Sequence, residues 1–299
     1  MLGEFVDFDS QLIYLDGNSL GRLPVGALDE VREVLEKQWG EELVEGWEHW
    51  LTMPQEIGDL LAAHLLGAPP GSVVVADSTT VNLYKLAAAA LRARPARKKI
   101  ITDGGNFPTN RYVMEGLCEA TGARIEWLDT DPVLGPQPED IAKRIGSDTA
   151  LVSLSHVGYH NAAIADMASI NLMARQAGAL VLWDLSHSVG VVPIDLGAAG
   201  TELAVGCTYK YLNGGPGSPA FMFVTPQLQP MLRQPIWGWF GQRDQFAMGV
   251  NYDPHEDIRR FTSGTPPVIA LAATLAAHSG ASPTGLAYAN MFVARISCS

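Results

Sequence analysis

ALVSLSHVGYHNAAIADMASINLMARQAGALVLWDLSHS, residues 150–188, is the stretch that decides the fold. Ala150–Ser155 is a short apolar run that reads as a buried strand, Met167–Ala177 as a helix, and Leu180–Trp183 as a second apolar strand. Two strands joined through a helix form a βαβ unit, whose strands run parallel.

The same alternation continues on both sides. Upstream, Ser72–Ala76 (SVVVA), Lys99–Thr102 and Arg124–Leu128 read as strands, and Val81–Leu91, Tyr112–Ala120 and Pro138–Ile145 as helices. Downstream, Leu203–Cys207 is a strand and Phe221–Thr225 a hairpin strand expected at the sheet edge. The chain before this core is a loop through Pro24. A helix follows from Val25 to about Glu45, with Leu28, Val31, Leu35 and Trp39 at helical spacing, and another spans Pro54–Leu66, stopped by Gly67 and Pro69-Pro70. The expected fold is α/β, a mostly parallel sheet buried on both faces by helices. In such sheets ligands sit beyond the carboxyl ends of the strands, so the polar residues after each strand are the ones to read for chemistry.

Composition agrees with a globular chain: of 299 residues, 47% are hydrophobic and 17% charged, which excludes disorder and collagen. The formal charge of −12 leaves no basic balance for tracking phosphates, so no nucleic-acid partner is expected. Cys118, Cys207 and Cys298 form no CxxC pair; neither a metal site nor a disulfide framework is expected, and a reducing compartment suits them. MLGEFVDFDS lacks the basic start and apolar stretch of a signal peptide, and no uncharged run reaches transmembrane length. The chain is therefore expected in the cytoplasm, with no membrane partner.

Three groups follow strands. After SVVVA comes Asp77-Ser78-Thr79-Thr80 and then a helix; taken alone this reads first as N-capping, although hydroxyls and free N–H groups there also suit a phosphate. After LVLW comes Asp184, whose carboxylate could pair with a protonated ring nitrogen of a ligand or equally with a neighbouring Arg; alone, His187 reads as an interior histidine. After LAVGC comes Lys210, ahead of the loop Asn213-Gly214-Gly215-Pro216-Gly217, whose glycines let something approach the backbone. Desolvation there favours the uncharged amine that can bond an aldehyde. Pyridoxal phosphate needs these three together: an anion cradle, a carboxylate for its pyridinium nitrogen and a lysine for its aldehyde.

With that pattern in view, YLDGNSLGRLP (14–24), WGEELVEGWEHW (39–50), DSTTVNLYKL (77–86), NFPTN (106–110), LSHVGYH (154–160), WDLSHSVGVVPIDL (183–196) and YKYLNGGPGSPAF (209–221) resemble the blocks of the kynureninase family, in order, over about residues 10–277. These are fold-type I pyridoxal-phosphate enzymes of the class V aminotransferase superfamily. The resemblance implies hydrolysis of L-kynurenine or its 3-hydroxy form to anthranilate or 3-hydroxyanthranilate and L-alanine, in tryptophan catabolism and NAD biosynthesis. It further implies an amino-acid substrate, pyridoxal 5'-phosphate as cofactor and a homodimer. By the same resemblance Lys210 bonds the cofactor aldehyde, Asp184 holds its pyridinium and His187 lies beside them. Thr79 and Thr80 bind phosphate, Phe107 stacks on the ring, and Pro108, Thr109 and Asn110 complete that cofactor-binding block. Ser155 contacts the ring oxygen, and Tyr209 touches phosphate and takes part in proton transfer. Trp239 and Thr265 complete the cofactor site from the second subunit, while Trp47 and Gly264 shape the pocket for the substrate's aromatic ring; without the resemblance Trp47 reads as packing.

The sequence also departs from the family. Asn110 stands where the family usually has Asp, and Asn161-Ala162 where it has Thr-Gly. The resemblance fades after Ala277, so the expected organisation is an N-terminal arm and helix over 1–50, a large cofactor-binding domain over 51–277 and an atypical tail over 278–299. The chain is expected to end before the family's small C-terminal domain and its carboxylate-binding Arg, so that kynurenine is hydrolysed more slowly; only if turnover is undiminished would Arg243 or Arg260 have to take that role over. Two other readings stand beside this one. One is a different class V enzyme, an aminotransferase or a desulfurase, the latter needing a mobile catalytic Cys. The other is an inactive cofactor-binding remnant.

Overall fold

A computed structural model describes Phe5, Val6 and residues 13–279 of the chain. The tail expected over 278–299 lies outside the described residues, save for the backbone of the helix that runs to Ser279.

The first helix, α1 (Val25–Arg32), widens into π-helical turns over Glu33–Trp39. Its last turn carries bonds that run five residues back, from Gly40 N–H to the Leu35 carbonyl at 3.1 Å and from Glu42 N–H to the Lys37 carbonyl at 2.9 Å. The helix expected to about Glu45 stops at Trp39; Leu43, at φ 55°, breaks the run, and a separate 3₁₀ turn follows over Leu43–Gly46. A short α2 (Trp47–Trp50) leads to α3 (Met53–Leu61), which starts with a proline in its first turn, widens over Ala62–Leu66 and is ended by Gly67 at φ 55°.

Next come β1 (Val73–Val75), α4 (Thr79–Ala93), β2 (Lys99–Asp103), α5 (Pro108–Thr121), β3 (Arg124–Leu128), α6 (Pro138–Ala142), β4 (Thr149–Ser155), α7 (Met167–Ala177), β5 (Leu180–Asp184), β6 (Leu203–Gly206), β7 (Phe221–Val224) and α8 (Val268–Ser279). Local chemistry sets most of their ends. Ser78 caps α4 by accepting from Val81 N–H, and Asp166 caps α7 by accepting from Ser169 N–H at 3.0 Å. Left-handed glycines, Gly122 and Gly178, end α5 and α7. The helix expected over Pro138–Ile145 stops at Ala142.

The strands form one sheet in the order β1-β7-β6-β5-β4-β2-β3. β2 to β6 are mutually parallel; β7 runs antiparallel to both β6 and β1. The expectation that Phe221–Thr225 lies at the edge is corrected here. β7 is interior, hydrogen-bonded to β1 on one side and to β6 on the other, and both its faces are buried: Phe221 and Phe223 point into one core, Met222 and Val224 into the other. The true edges are β1 and β3, and β3 carries the charged Arg124 and Glu126 that protect an open edge.

Two apolar cores sandwich the sheet. On one face Ile101, Val152, Leu154, Val181 and Trp183 pack against α3 and α7; on the other Ile100, Leu151, Leu180, Leu182 and Val205 pack against α4 and α5. The alanine run Ala87–Ala90 lets α4 lie close on the sheet. Trp183 is fully buried and satisfies its indole N–H on Asn171 Oδ1 at 2.8 Å. Each large side chain so buried contributes about 1.5–3 kcal/mol, so the central strands fix the framework on which the loops stand. Among the described residues no helix is long and apolar enough to cross a membrane.

At Gly58, α3 lies so close on the sheet that a Cβ would sit 2.2 Å from the Val73 carbonyl oxygen of β1. Gly58→Ala should lower the unfolding free energy by about 1–3 kcal/mol through overpacking. Urea unfolding measures this; an unchanged midpoint would mean that α3 can lift off β1 without cost.

Candidate functional site

Because β1, β2, β4, β5 and β6 point the same way, the residues after their carboxyl ends share one side of the sheet. There they enclose a cavity of about 190 Å³, lined by Ser78, Thr79, Thr80, Phe107, Thr109, Asn110, Asp184, Ser186, His187, Tyr209 and Lys210.

One wall is the start of α4. The N–H groups of Thr79 and Thr80 precede the first bond of the helix, which runs from Asn82 N–H to the Ser78 carbonyl at 2.9 Å. They and the hydroxyls around them make an end of the cavity suited to an anion. The turn that delivers them is held from behind. Asp77 sits at φ 51°, and the fully buried Lys85 donates to Asp77 Oδ2 at 2.6 Å and to the Phe261 carbonyl at 2.9 Å.

A second wall is the buried carboxylate of Asp184, at the end of β5. Its Oδ1 accepts from Ser186 N–H at 2.9 Å and its Oδ2 from Asn110 Nδ2 at 2.8 Å. Asn110 is itself set by Asn106, whose Oδ1 accepts from Phe107 N–H at 2.8 Å, Ser155 Oγ at 2.7 Å and Asn110 Nδ2 at 3.3 Å. One amide oxygen thus fixes the Phe107 turn, Ser155 and Asn110 together. The departure from Asp to Asn at position 110 has a direct consequence: only the amide can donate to Asp184.

The third wall carries the amine. Lys210 is buried, and its Nζ donates to His187 Nε2 at 2.5 Å. Burial, and then the Lys210 charge, hold His187 below the usual imidazole range, so the ring is neutral and can accept. The Lys210 Nζ lies 5.7 Å from the centre of the Phe107 ring and 5.8 Å from that of Tyr209. Burial, with the neighbouring Cys207 and Asp184, pushes the Tyr209 phenol up, so it keeps its proton. Burial pushes the Cys207 thiol up to about 11. The Lys210 turn is clamped by the N-terminal segment: Gly21 N–H donates to the Tyr209 carbonyl at 2.8 Å, and a Cβ on Gly21 would meet the Lys210 carbonyl at 2.2 Å.

Most expected residues therefore meet in one place, and others do not. Pro108 starts α5 without lining the cavity. Ser155 lines an adjoining cavity of about 200 Å³ with Asp103, Asn106 and Tyr159. Trp47 and Trp239 pack edge to face with ring centres 5.7 Å apart, and Gly264 and Thr265 are exposed; none of the four borders the Lys210 cavity within one chain. A larger cavity, about 850 Å³, lies between Trp39, Trp47, Trp50 and the start of α8, and no titratable side chain among the described residues lines it. Sequence reasoning missed Asn106, Ser186 and Gly21. All three lay inside quoted blocks, but nothing local signals that Asn106 meets Ser155 or that Gly21 meets the Lys210 turn.

Asn110→Ala would leave a buried carboxylate oxygen without its donor, at a cost of about 1–3 kcal/mol. Equilibrium unfolding of the variant should register that loss; no loss would remove Asn110 as a support of Asp184.

Comparison with known proteins follows the same lines. The family described as aminotransferase class-V matches residues 13–287. Kynureninase of Pseudomonas fluorescens is 44% identical over 269 residues, 87% of this chain and 63% of that protein, so the chain spans less than two thirds of this relative's length. Among solved structures, the cysteine desulfurase CsdA from Escherichia coli superposes with a TM-score of 0.79 at 16% identity, over 94% of this chain and 71% of its own. A mutant of C-DES with glycine covalently linked to its PLP cofactor gives 0.78 at 17% identity, over 90% of this chain and 71% of its own. At such identities the likeness is one of fold.

Proposed function

The chain belongs to the class-V aminotransferase family, and on that premise we propose that it binds pyridoxal phosphate and acts as a kynureninase, cleaving L-kynurenine or its 3-hydroxy form by hydrolysis to anthranilate or 3-hydroxyanthranilate and L-alanine. The observation that carries the reading is the meeting of an anion-binding helix start, a buried carboxylate and a buried lysine in one cavity. The donor set fits the cofactor group by group. Thr79 and Thr80 would hold its phosphate, Phe107 would cover its ring, Asp184 would keep its ring nitrogen protonated and Lys210 would bond its aldehyde.

When bound, the cofactor supplies an aldehyde for the substrate amine and a ring that takes up electrons from the α-carbon. The protein's own groups handle the protons. Lys210, released by the substrate amine, removes the α-proton, and neutral His187 beside it can take up or return a proton. Tyr209 keeps its phenol proton near neutral pH and can mediate transfers as water is added and the Cβ–Cγ bond breaks. Trp239 and Thr265, away from this cavity in a single chain, are proposed to serve the cavity of a second copy in a homodimer. The exposed Trp39, Leu43 and Val44 support such an assembly. Cytoplasmic residence and a place in tryptophan catabolism and NAD biosynthesis belong to the same proposal. A desulfurase reading finds little support: burial holds the Cys207 thiol at about 11 and also raises the half-buried Cys118 on its helix, and neither suits a mobile nucleophile. Cys298 lies outside the described residues.

The test is release of anthranilate from kynurenine by the purified chain supplied with cofactor. Lys210→Ala should lower turnover by about a hundred- to ten-thousand-fold and abolish fixation of the cofactor by borohydride. Labelling at Lys85 or Lys143 instead would overturn the assignment. Asp184→Ala should weaken cofactor binding and slow exchange of the substrate α-proton; unchanged exchange would take Asp184 out of its role. A loaded protein that releases no anthranilate, whatever its spectrum, would favour the cofactor-binding remnant.

A further inference from the structure

Between β7 and α8 the chain runs as loops and short 3₁₀ turns rich in arginine. The acids of this region are already committed. Asp253 and Glu256 both pair with Arg243, at 3.1 Å each; Asp257 pairs with Arg259 at 2.6 Å; and Asp244 caps Ala247 N–H at 3.1 Å. Arg233 and Arg260 are left over. Arg260 is only 7% exposed, yet among the described residues its guanidinium has neither a hydrogen bond nor an ion pair, and that of Arg233 has none either.

Both arginines border one small cavity of about 30 Å³, closed by Gln234, Trp237, Tyr252 and Pro254. Its walls are fixed. The Trp237 and Tyr252 rings stack with centres 4.9 Å apart and 18° between planes, Trp237 Nε1 donates to the Gln234 carbonyl at 2.8 Å, and Gln234 Nε2 donates to the Ile236 carbonyl at 2.7 Å. We infer that this cavity is a binding site for a small inorganic anion, separate from the Lys210 cavity, with which it shares no residue.

The chemistry of the walls selects the ligand. Guanidinium groups offer donors and no acceptor, so two of them facing one space cannot satisfy each other. They repel as well: burial first, and Arg233 with it, push the Arg260 guanidinium down, against the opposing pull of Tyr252, Asp257 and Glu256. A water molecule could accept a hydrogen bond from either but would bring no charge to the buried Arg260, which has no acid in direct contact among the described residues. An anion supplies acceptors and charge together. The volume admits one water-sized atom, so the occupant is chloride or a single oxygen of phosphate. The sequence raised Arg243 or Arg260 as a replacement grip for the substrate carboxylate. Arg243 is tied to two acids, and Arg260 faces a cavity too small for an amino acid.

An anion bound here stabilises the native state by mass action. Thermal unfolding of the full chain, titrated separately with sodium chloride and sodium phosphate, should show a saturable rise of a few degrees in the midpoint, absent in Arg260→Gln and in Arg233→Gln. Phosphate that settles instead at Thr79 and Thr80 raises all three proteins alike and is subtracted by the comparison. Crystals soaked in bromide should give an anomalous peak between the two guanidinium groups. If Arg260→Gln fails to fold, Arg233→Gln decides, because Arg233 is exposed. Equal anion responses in the wild type and Arg233→Gln, or bromide-soaked crystals without a peak at this cavity, would overturn the site.

Discussion

A carboxylate at the end of a buried strand is the constraint around which this molecule is arranged. Asp184 closes β5, the central strand of the sheet, and is almost removed from water. A charge in that position is tolerable only if donors surround it. Two are supplied, one by the chain just after it and one by Asn110 at the start of α5. Asn110 depends on Asn106, and Asn106 on Ser155 from β4, so satisfying one carboxylate draws three loops into register. The aromatic and amine walls are built on those same loops. The cost of burying Asp184 is thus also what positions the cavity.

The anion end and the lysine end are positioned by different means. At the anion end, a residue in left-handed conformation turns the chain into α4 and a buried ammonium holds its side chain. At the lysine end, an N-terminal glycine lies so close to the Lys210 carbonyl that no side chain fits between them. Both devices use segments far away in sequence, Phe261 in one case and Gly21 in the other. The site is therefore a property of the whole sheet and its crossings, and neither end could be carried on a local motif alone.

That division explains what could be read in advance. β4, α7 and β5 were legible because a strand buried on both faces is an unbroken apolar run, and α7 kept its expected bounds of Met167–Ala177. Asp184, Lys210 and the Thr79-Thr80 helix start were legible because each directly follows such a strand. The interior position of β7 was not, since its four apolar residues are equally consistent with an edge until the partners on both sides are known. Asn106 was invisible for a related reason: the groups it accepts from belong to positions 107, 110 and 155, and the last is brought near only by the sheet. Arg233 and Arg260 were legible as charges, but their lack of acids was not, because it depends on Arg243 and Arg259 claiming those acids first.

The pairing of β1 with β7 bears on how the protein is made. Among the described residues, β1 is the first strand of the sheet to be synthesised and its one neighbour is the last. A ribosome adding about 5–20 residues per second needs roughly seven to thirty seconds to pass from one to the other. Through that interval the Val73–Val75 segment is out in the cell with its hydrogen-bonding edge bare, while the parallel strands behind it can already associate. Closing so long a loop is entropically slow as well. The nascent chain therefore has a defined window of exposure to chaperones and to aggregation, which ends only when Phe221–Val224 emerges and seals β1 into the sheet.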